Sequence, residues 1–338
     1  MGAIWHDVKY AARRLARSRG FAVVAIASLA LGIGANTAFF SLLNAIVLRD
    51  LPVWQPNQLV EIKDVEVRTG QAGPLNLPIY EGLARDQRVF SRFSGELDGD
   101  ELDVQANGWL GRADVSLVSG EFYSMLRVRP AIGRLIELSD VNLLQAAPRQ
   151  VAVLGYGFWQ RRFGGDPAAI GRTVQVQGVP FTVIGVAPEG FKGTSTDREK
   201  EVTIPLSAGP LVMSETFRQM NSRRFLWITA VGRLKPGVSL SEARADLTTA
   251  WPAILKTALP PDETQSGRAN FLARRLLVRS DARGEDNSLR DKFTHPLEIL
   301  MGISGLILLL ACANLAGLMR PDVRVLGFTI SARTQISS

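Results

Sequence analysis

Two long uncharged runs frame the chain, and between them short apolar segments alternate with polar ones. The first run, Gly20 to Leu48, holds 29 residues between Arg19 and Arg49 without a charge. As a helix it is about 43 Å long, longer than a hydrocarbon core of about 30 Å, so it tilts or projects beyond the membrane. The second run, Ile299 to Met319, has 21 uncharged residues, ten of them Leu or Ile. Each of those contributes roughly −0.3 to −0.6 kcal/mol to insertion near a helix centre, and Ser304 and Asn314 subtract only part of the total. The pattern predicts transmembrane helices over 21–48 and 297–319. A cleaved signal peptide fits the first run poorly, because its apolar region spans only about 7–15 residues. The Arg13-Arg14 pair lacks the surroundings of a twin-arginine signal.

Between the runs the period changes. Strands are predicted at 58–63, 100–106, 112–119 and 151–154, with helices near 78–88, 120–126 and 156–163. A hairpin is predicted from 172–177 and 180–187 around Gly178-Val179-Pro180. Ser239 and Glu242 form a capping-box pattern that opens a helix to about 257, flanked by strands at 225–234 and 272–280. Two β-α-β units, 58–119 and 225–280, with a 120–215 insertion between them, argue for an α+β fold.

Charge fixes orientation. Arg13, Arg14, Arg17 and Arg19 precede the first run, and Arg320 and Arg324 follow the second. The positive-inside rule then puts both termini in the cytoplasm and the middle outside. Residues 1–20 read as an amphipathic cytoplasmic leader, with Trp5, Val8, Ala12 and Leu15 mixed among basic positions. The net charge of +7 thus reads as topology rather than nucleic-acid binding, because the basic residues cluster at a membrane border. The mean hydropathy of +0.09 averages two apolar runs with a polar middle. Gly32, Gly34, Gly302, Ser304 and Gly305 are small positions that let helices approach closely.

Candidate chemistry is sparse. The single cysteine, Cys312, lies in the second run, so no disulfide forms within the chain. The two histidines, His6 and His295, have no metal-ligand spacing around them and no triad context. Gly32-Ile-Gly-Ala-Asn-Thr37 approaches a dinucleotide fingerprint but sits in an apolar span without a preceding strand. The segment Gly165-Asp-Pro-Ala-Ala-Ile-Gly-Arg-Thr173 approaches a phosphate-binding loop, yet its glycines are mis-spaced and Arg172 stands where Lys is needed. Glu96, Asp98, Asp100, Glu101 and Asp103, grouped around Gly99, read as a solvated turn. No catalytic, cofactor-binding or metal-ligating residue is singled out.

Several segments resemble the MacB-type, or FtsX-like, permeases of ABC transporters. They are Leu29-Ala-Leu-Gly-Ile-Gly-Ala-Asn-Thr-Ala38, Val118-Ser-Gly-Glu-Phe-Tyr123, Val128-Arg-Pro-Ala-Ile-Gly-Arg134 and the run Val151 to Pro167. Phe181-Thr-Val-Ile-Gly-Val-Ala-Pro188, Gly232-Arg-Leu-Lys-Pro-Gly-Val238 and Leu309-Leu-Ala-Cys-Ala-Asn-Leu315 extend the likeness over about 8–319. The resemblance implies a periplasmic core domain at 49–294, porter-like at 55–119 and 220–285, with an inserted small domain at 120–215. It implies a multi-pass protein of the bacterial cytoplasmic (inner) membrane. Such a permease transmits the cycle of a partner ATPase to its periplasmic domain, with ATP hydrolysed in a separate nucleotide-binding subunit. The partners implied are that ABC ATPase subunit, a second permease as homodimer or heterodimer, the lipid bilayer and a periplasmic adaptor, with no nucleic acid and no cofactor. The alternative is a membrane-anchored extracytoplasmic binding or signalling module without transport. The atypical tail 320–338, where the family continues into further spans, leads to the expectation of a C-terminally truncated member.

Overall fold

The structure, a computed structural model, describes residues 19–43, 51–141, 148–195, 199–213, 225–282 and 298–310, together with 284, 296, 312 and 313. The leader up to residue 18, both histidines and the tail 320–338 lie outside the described residues. The chain divides into two compact units, Met1–Leu48 with Asn287–Ser338, and Arg49–Asp286.

In the first unit, helix α1 runs Arg19–Leu43, and residues 298–310 are also helical. Gly32 explains their close approach. A Cβ there would stand 2.9 Å from Leu308 Cδ1, so the absence of a side chain lets the helices touch. Within α1 the polar side chains turn back on the backbone. Asn36 Nδ2 donates to the Gly32 carbonyl at 3.1 Å and Thr37 Oγ1 to the Ile33 carbonyl at 2.8 Å, which hides their polar atoms. Val23, Ile26, Ile33 and Phe40 are exposed, as are Ile303, Leu306, Leu309 and Leu310. Among the described residues no helix is long and apolar enough to cross a membrane.

The second unit begins with β1 (Leu59–Val65), the two-residue β2 (Ala72–Gly73), α2 (Leu77–Asp86), β3 (Phe90–Ala106) and β4 (Trp109–Val118). Asn76 caps α2 by accepting from Ile79 N at 2.9 Å, and the helix buries Ile79, Tyr80 and Leu83. Asn107 and Gly108 join β3 to β4 with φ of 48° and 78°, the left-handed pair that a two-residue hairpin requires. There follow α3 (Phe122–Leu126), β5 (Ile132–Gly133), β6 (Val151–Leu154), α4 (Tyr156–Phe163), β7 (Thr173–Val176), β8 (Val179–Val186), β9 (Val202–Pro205) and α5 (Gly209–Val212). The unit closes with β10 (Thr229–Leu234), α6 (Leu240–Ala258), α7 (Gln265–Leu272) and β11 (Arg275–Ser280).

Strand pairing sorts these elements into two bodies of sheet. The order β11-β1-β10-β3 is antiparallel throughout. With α2 following β1 and α6 following β10, it is the split β-α-β arrangement of ferredoxin-like sheets. The sequence between β3 and β10 builds the other body. There β3 pairs with β4, β4 with β9, β9 with β6, β6 with β8, β8 with β7, and β7 with β3 again, which closes a ring. Val104, Val174, Val176, Phe181, Val183 and Ile204 are fully buried, as expected where alternate residues of each strand fill a small barrel.

Strand β3 belongs to both bodies. Residues 90–96 pair with β10, residues 104–106 pair with β7, and a register shift against β4 falls between Leu97 and Asp100. Such a bulge bends the strand and raises its twist. The acidic stretch 96–103 is therefore strand rather than a turn, with Glu96 buried and Asp98, Glu101 and Asp103 exposed. Phe93 to Glu96 are buried in succession, because α2 and α3 both pack against β3.

Candidate functional site

The junction between the open sheet and the ring holds a buried ion pair. Glu96, on β3, is 2% exposed and Lys200, just before β9, is 4% exposed. Lys200 Nζ lies 3.0 Å from Glu96 Oε2, pairs also with Asp98, and stands 3.3 Å from Ser116 Oγ on β4. Thr194 donates its hydroxyl to the other Glu96 oxygen. Burial pushes the Glu96 carboxyl up, with the Lys200 ammonium opposing the shift. Burial alone would pull Lys200 down, but Glu96 and Asp98 together hold it above the usual lysine value. A shared positive charge between two carboxylates is the arrangement that lets an ammonium survive in a dry interior.

A cleft of about 480 Å³ lies between α2, β3 and the segment ahead of α3. Tyr80 and Gln87 from α2, Arg92 and Phe93 from β3, and Ser119 and Glu121 ahead of α3 contribute to its lining. Arg92 Nη1 donates to both Glu121 carboxylate oxygens, at 3.0 and 2.8 Å, and Ser124 Oγ donates to Glu121 Oε2 at 2.7 Å. Ser94 and Ser119 hydroxyls stand 3.0 Å apart, and Ser119 Oγ accepts from Gly95 N at 3.1 Å. Burial pushes the phenols of Tyr80 and Tyr123 up to about 12, so both remain neutral donors at physiological pH. Stacking of Tyr80 on Phe93, with centroids 5.3 Å apart, fixes the cleft wall.

Among the described residues no three His, Cys, Asp or Glu side chains are grouped to hold a metal ion. The segment 165–173 forms a closed turn. Asp166 accepts from Ala168 N at 2.8 Å and from Arg172 Nη2 at 3.1 Å, so these donors are already engaged within the chain. Cys312 is exposed and free. Sequence reading missed the Glu96–Lys200 pair. Its one available signal was a carboxylate embedded in a run of strand formers, which calls for a cation from elsewhere in the chain.

A family model described as MacB-like periplasmic core domain matches residues 22–250. Among solved structures, the chain is similar to the periplasmic region of MacB from Actinobacillus actinomycetemcomitans. That pair is 14% identical over 71% of this chain and 94% of that one, with a TM-score of 0.46. It is also similar to the extracellular domain of the noncanonic ABC-type transporter YknZ from Gram-positive bacteria, at 12% identity over 56% of this chain and 91% of that one, TM-score 0.43. No curated protein matches the chain.

Proposed function

The chain belongs to the MacB-like periplasmic core domain family, and on that premise we propose that it is a membrane permease subunit of an ABC-type export or mechanotransmission complex. The observation that carries this reading is the extent of the family match, which starts inside the first apolar run and continues through most of the second unit. In this reading residues 21–48 and 297–319 span the inner membrane and residues 49–294 face the periplasm. Two features support the spans: the uncharged lengths of both runs and the outward-facing Val, Ile, Leu and Phe side chains of the first unit. Apolar surface on that scale is costly in water and free in lipid.

The periplasmic part divides, on this reading, into a porter-like body (55–119 and 220–285) and an inserted domain (120–215). ATP is hydrolysed by a separate nucleotide-binding subunit, and the permease passes that cycle outward with a second permease and a periplasmic adaptor as partners. Reporter fusions at residue 150 and at the C terminus test the topology, with an external signal expected at 150 and a cytoplasmic one at the end. A cytoplasmic signal at 150 overturns the proposal. The coupling test reconstitutes the full chain with an ABC nucleotide-binding subunit in nanodiscs, where ATP turnover is expected to differ from that of the subunit alone.

A further inference from the structure

Among the described residues, the buried charges Glu61, Asp64, Glu96 and Asp140 each face a cation, and Lys200 faces two carboxylates. Arg233 departs from this rule. It is 3% exposed on β10; Nε donates to the Met125 carbonyl at 2.6 Å and Nη1 to the Gln55 carbonyl at 3.1 Å. Its Nη2 is buried with no hydrogen-bond partner. Its charged neighbour is a second cation. The Arg127 guanidinium lies 3.5 Å from the centre of the Trp54 ring, and that of Arg233 lies 5.0 Å from the same ring.

Burial, and then the Arg127 charge, pull Arg233 down to about 10, so it remains charged at neutral pH. Two neutral carbonyls and one aromatic face are weak compensation for the buried Arg233 guanidinium, and Arg127, which is exposed, adds a second positive charge beside it. The backbone is also held in a costly shape here. Gln55 and Arg127 both have left-handed φ, 43° and 55°, a conformation that non-glycine residues rarely adopt and that gathers at ligand clamps.

We propose that Arg127 and Arg233, sharing the Trp54 ring, form a binding site for one phosphate-bearing anion. Two guanidinium forks match the several oxygens of a phosphate, which accept paired, charge-assisted hydrogen bonds. The unpartnered Nη2 is one donor, and the Arg127 guanidinium supplies the others as it moves off the ring. Trp54, 40% exposed, is the movable outer wall.

The position of the site points to a source. Leu51 N donates to the Ala282 carbonyl at 2.9 Å, so the chain enters and leaves this unit side by side, with Trp54 three residues further on. If residues 21–48 span the bilayer, this edge is within headgroup reach. The phospholipid source rests on that reading, whereas anion binding does not.

The test uses the full chain, delipidated in a non-ionic detergent and titrated at constant ionic strength with inorganic phosphate, dihexanoyl phosphatidylglycerol or acetate against chloride. Tryptophan fluorescence that Trp54→Phe removes, and the thermal midpoint, are the readouts. Saturable binding of phosphate or of the phosphatidylglycerol is expected, weakened at least tenfold in Arg127→Gln and less in Arg127→Lys. Saturation by the lipid alone identifies a headgroup, and saturation by phosphate identifies a free anion. Arg233→Gln is the second variant, and if it fails to fold the Arg127 variants still decide. No saturable response, an acetate response equal to that of phosphate, or unchanged binding in Arg127→Gln overturns the assignment. A failed topology for residues 21–48 leaves the phosphate arm intact.

Discussion

Replacing Lys200 by Met removes the cation from between Glu96 and Asp98 while keeping an unbranched apolar stem one atom shorter. Asp98 has its side chain 47% exposed and stays hydrated, so the cost falls on Glu96. Removing one partner of a buried pair costs about 3–5 kcal/mol, because the remaining charge is left uncompensated. In a unit of this size 1 kcal/mol moves the midpoint by roughly 2–4 °C, so a fall of roughly 6–20 °C is expected. The pH dependence separates this mechanism from a packing defect. A carboxyl whose folded pKa is raised gives stability that is present below its unfolded value and lost as pH rises through the folded value. Without Lys200 the Glu96 pKa rises further, so the deficit of the variant is largest at pH 7 and shrinks toward pH 5. One proton changes it by at most about 1.4 kcal/mol per pH unit. Thermal unfolding of the full chain in detergent, followed by near-UV circular dichroism at both pH values, measures it. Glu96→Gln combined with Lys200→Met is expected to recover at least half the loss. A Lys200→Met variant within about 1 kcal/mol of wild type at pH 7, or one whose deficit does not change with pH, refutes the reasoning.

Three further outcomes are expected. Asp140 has a fully covered carboxylate, and although burial pushes its pKa up, the Arg134 fork, the Glu137 N–H and the charges of Arg134 and Arg149 hold it below the usual value. The stability it contributes is present above the unfolded aspartate value and lost below about pH 4, so Asp140→Asn flattens the acid limb of a pH–stability curve. A Cβ on Gly82 would stand 3.0 Å from Ile254 Cγ2, so Gly82→Val overpacks the α2–α6 contact by about 1–3 kcal/mol. In urea unfolding the double variant with Ile254→Ala then costs less than the sum of the singles. The purified chain is expected to show no thermal stabilisation by Mg-ATP, because the glycines at 165–173 are mis-spaced for a phosphate loop and Asp166 already engages Ala168 N and Arg172.

Local chemistry made much of the fold legible. Val151–Leu154 and Tyr156–Phe163 have the extents read from the sequence. Ser239 and Glu242 form the reciprocal cap, with Glu242 N to Ser239 Oγ at 3.2 Å and Ser239 N to Glu242 Oε2 at 2.7 Å. What escaped was non-local. The first part of β3 was unreadable because Arg92, Glu96 and Asp98 interrupt any alternation, and their partners Glu121 and Lys200 lie far along the chain. Strand β9 is four residues with every one buried, too short for a period to appear. Its role, parallel to β4 and antiparallel to β6, closes the ring and has no sequence signature of its own. The Trp54, Arg127 and Arg233 cluster was missed for the same reason: three separated residues meet only after the sheet forms.

The contacts at the junction differ in what it costs to break them. A bend that pulled β9 from β3 would separate Lys200 from Glu96 and leave both buried charges unpaired, at a cost of about 3–5 kcal/mol. It would also strip the Thr194 hydroxyl from the same carboxylate. On the cleft side β3 is tied to the segment ahead of α3 by the Ser94–Ser119 and Gly95–Ser119 hydrogen bonds and by the Arg92–Glu121 pair, whose side chains are 50% and 18% exposed, and solvent-screened pairs are worth about 0–1 kcal/mol. The two sides therefore resist displacement unequally. The bulge at Leu97–Asp100 is clamped by Lys200 through Glu96 and Asp98, so the Lys200 side of the junction is the more costly one to separate.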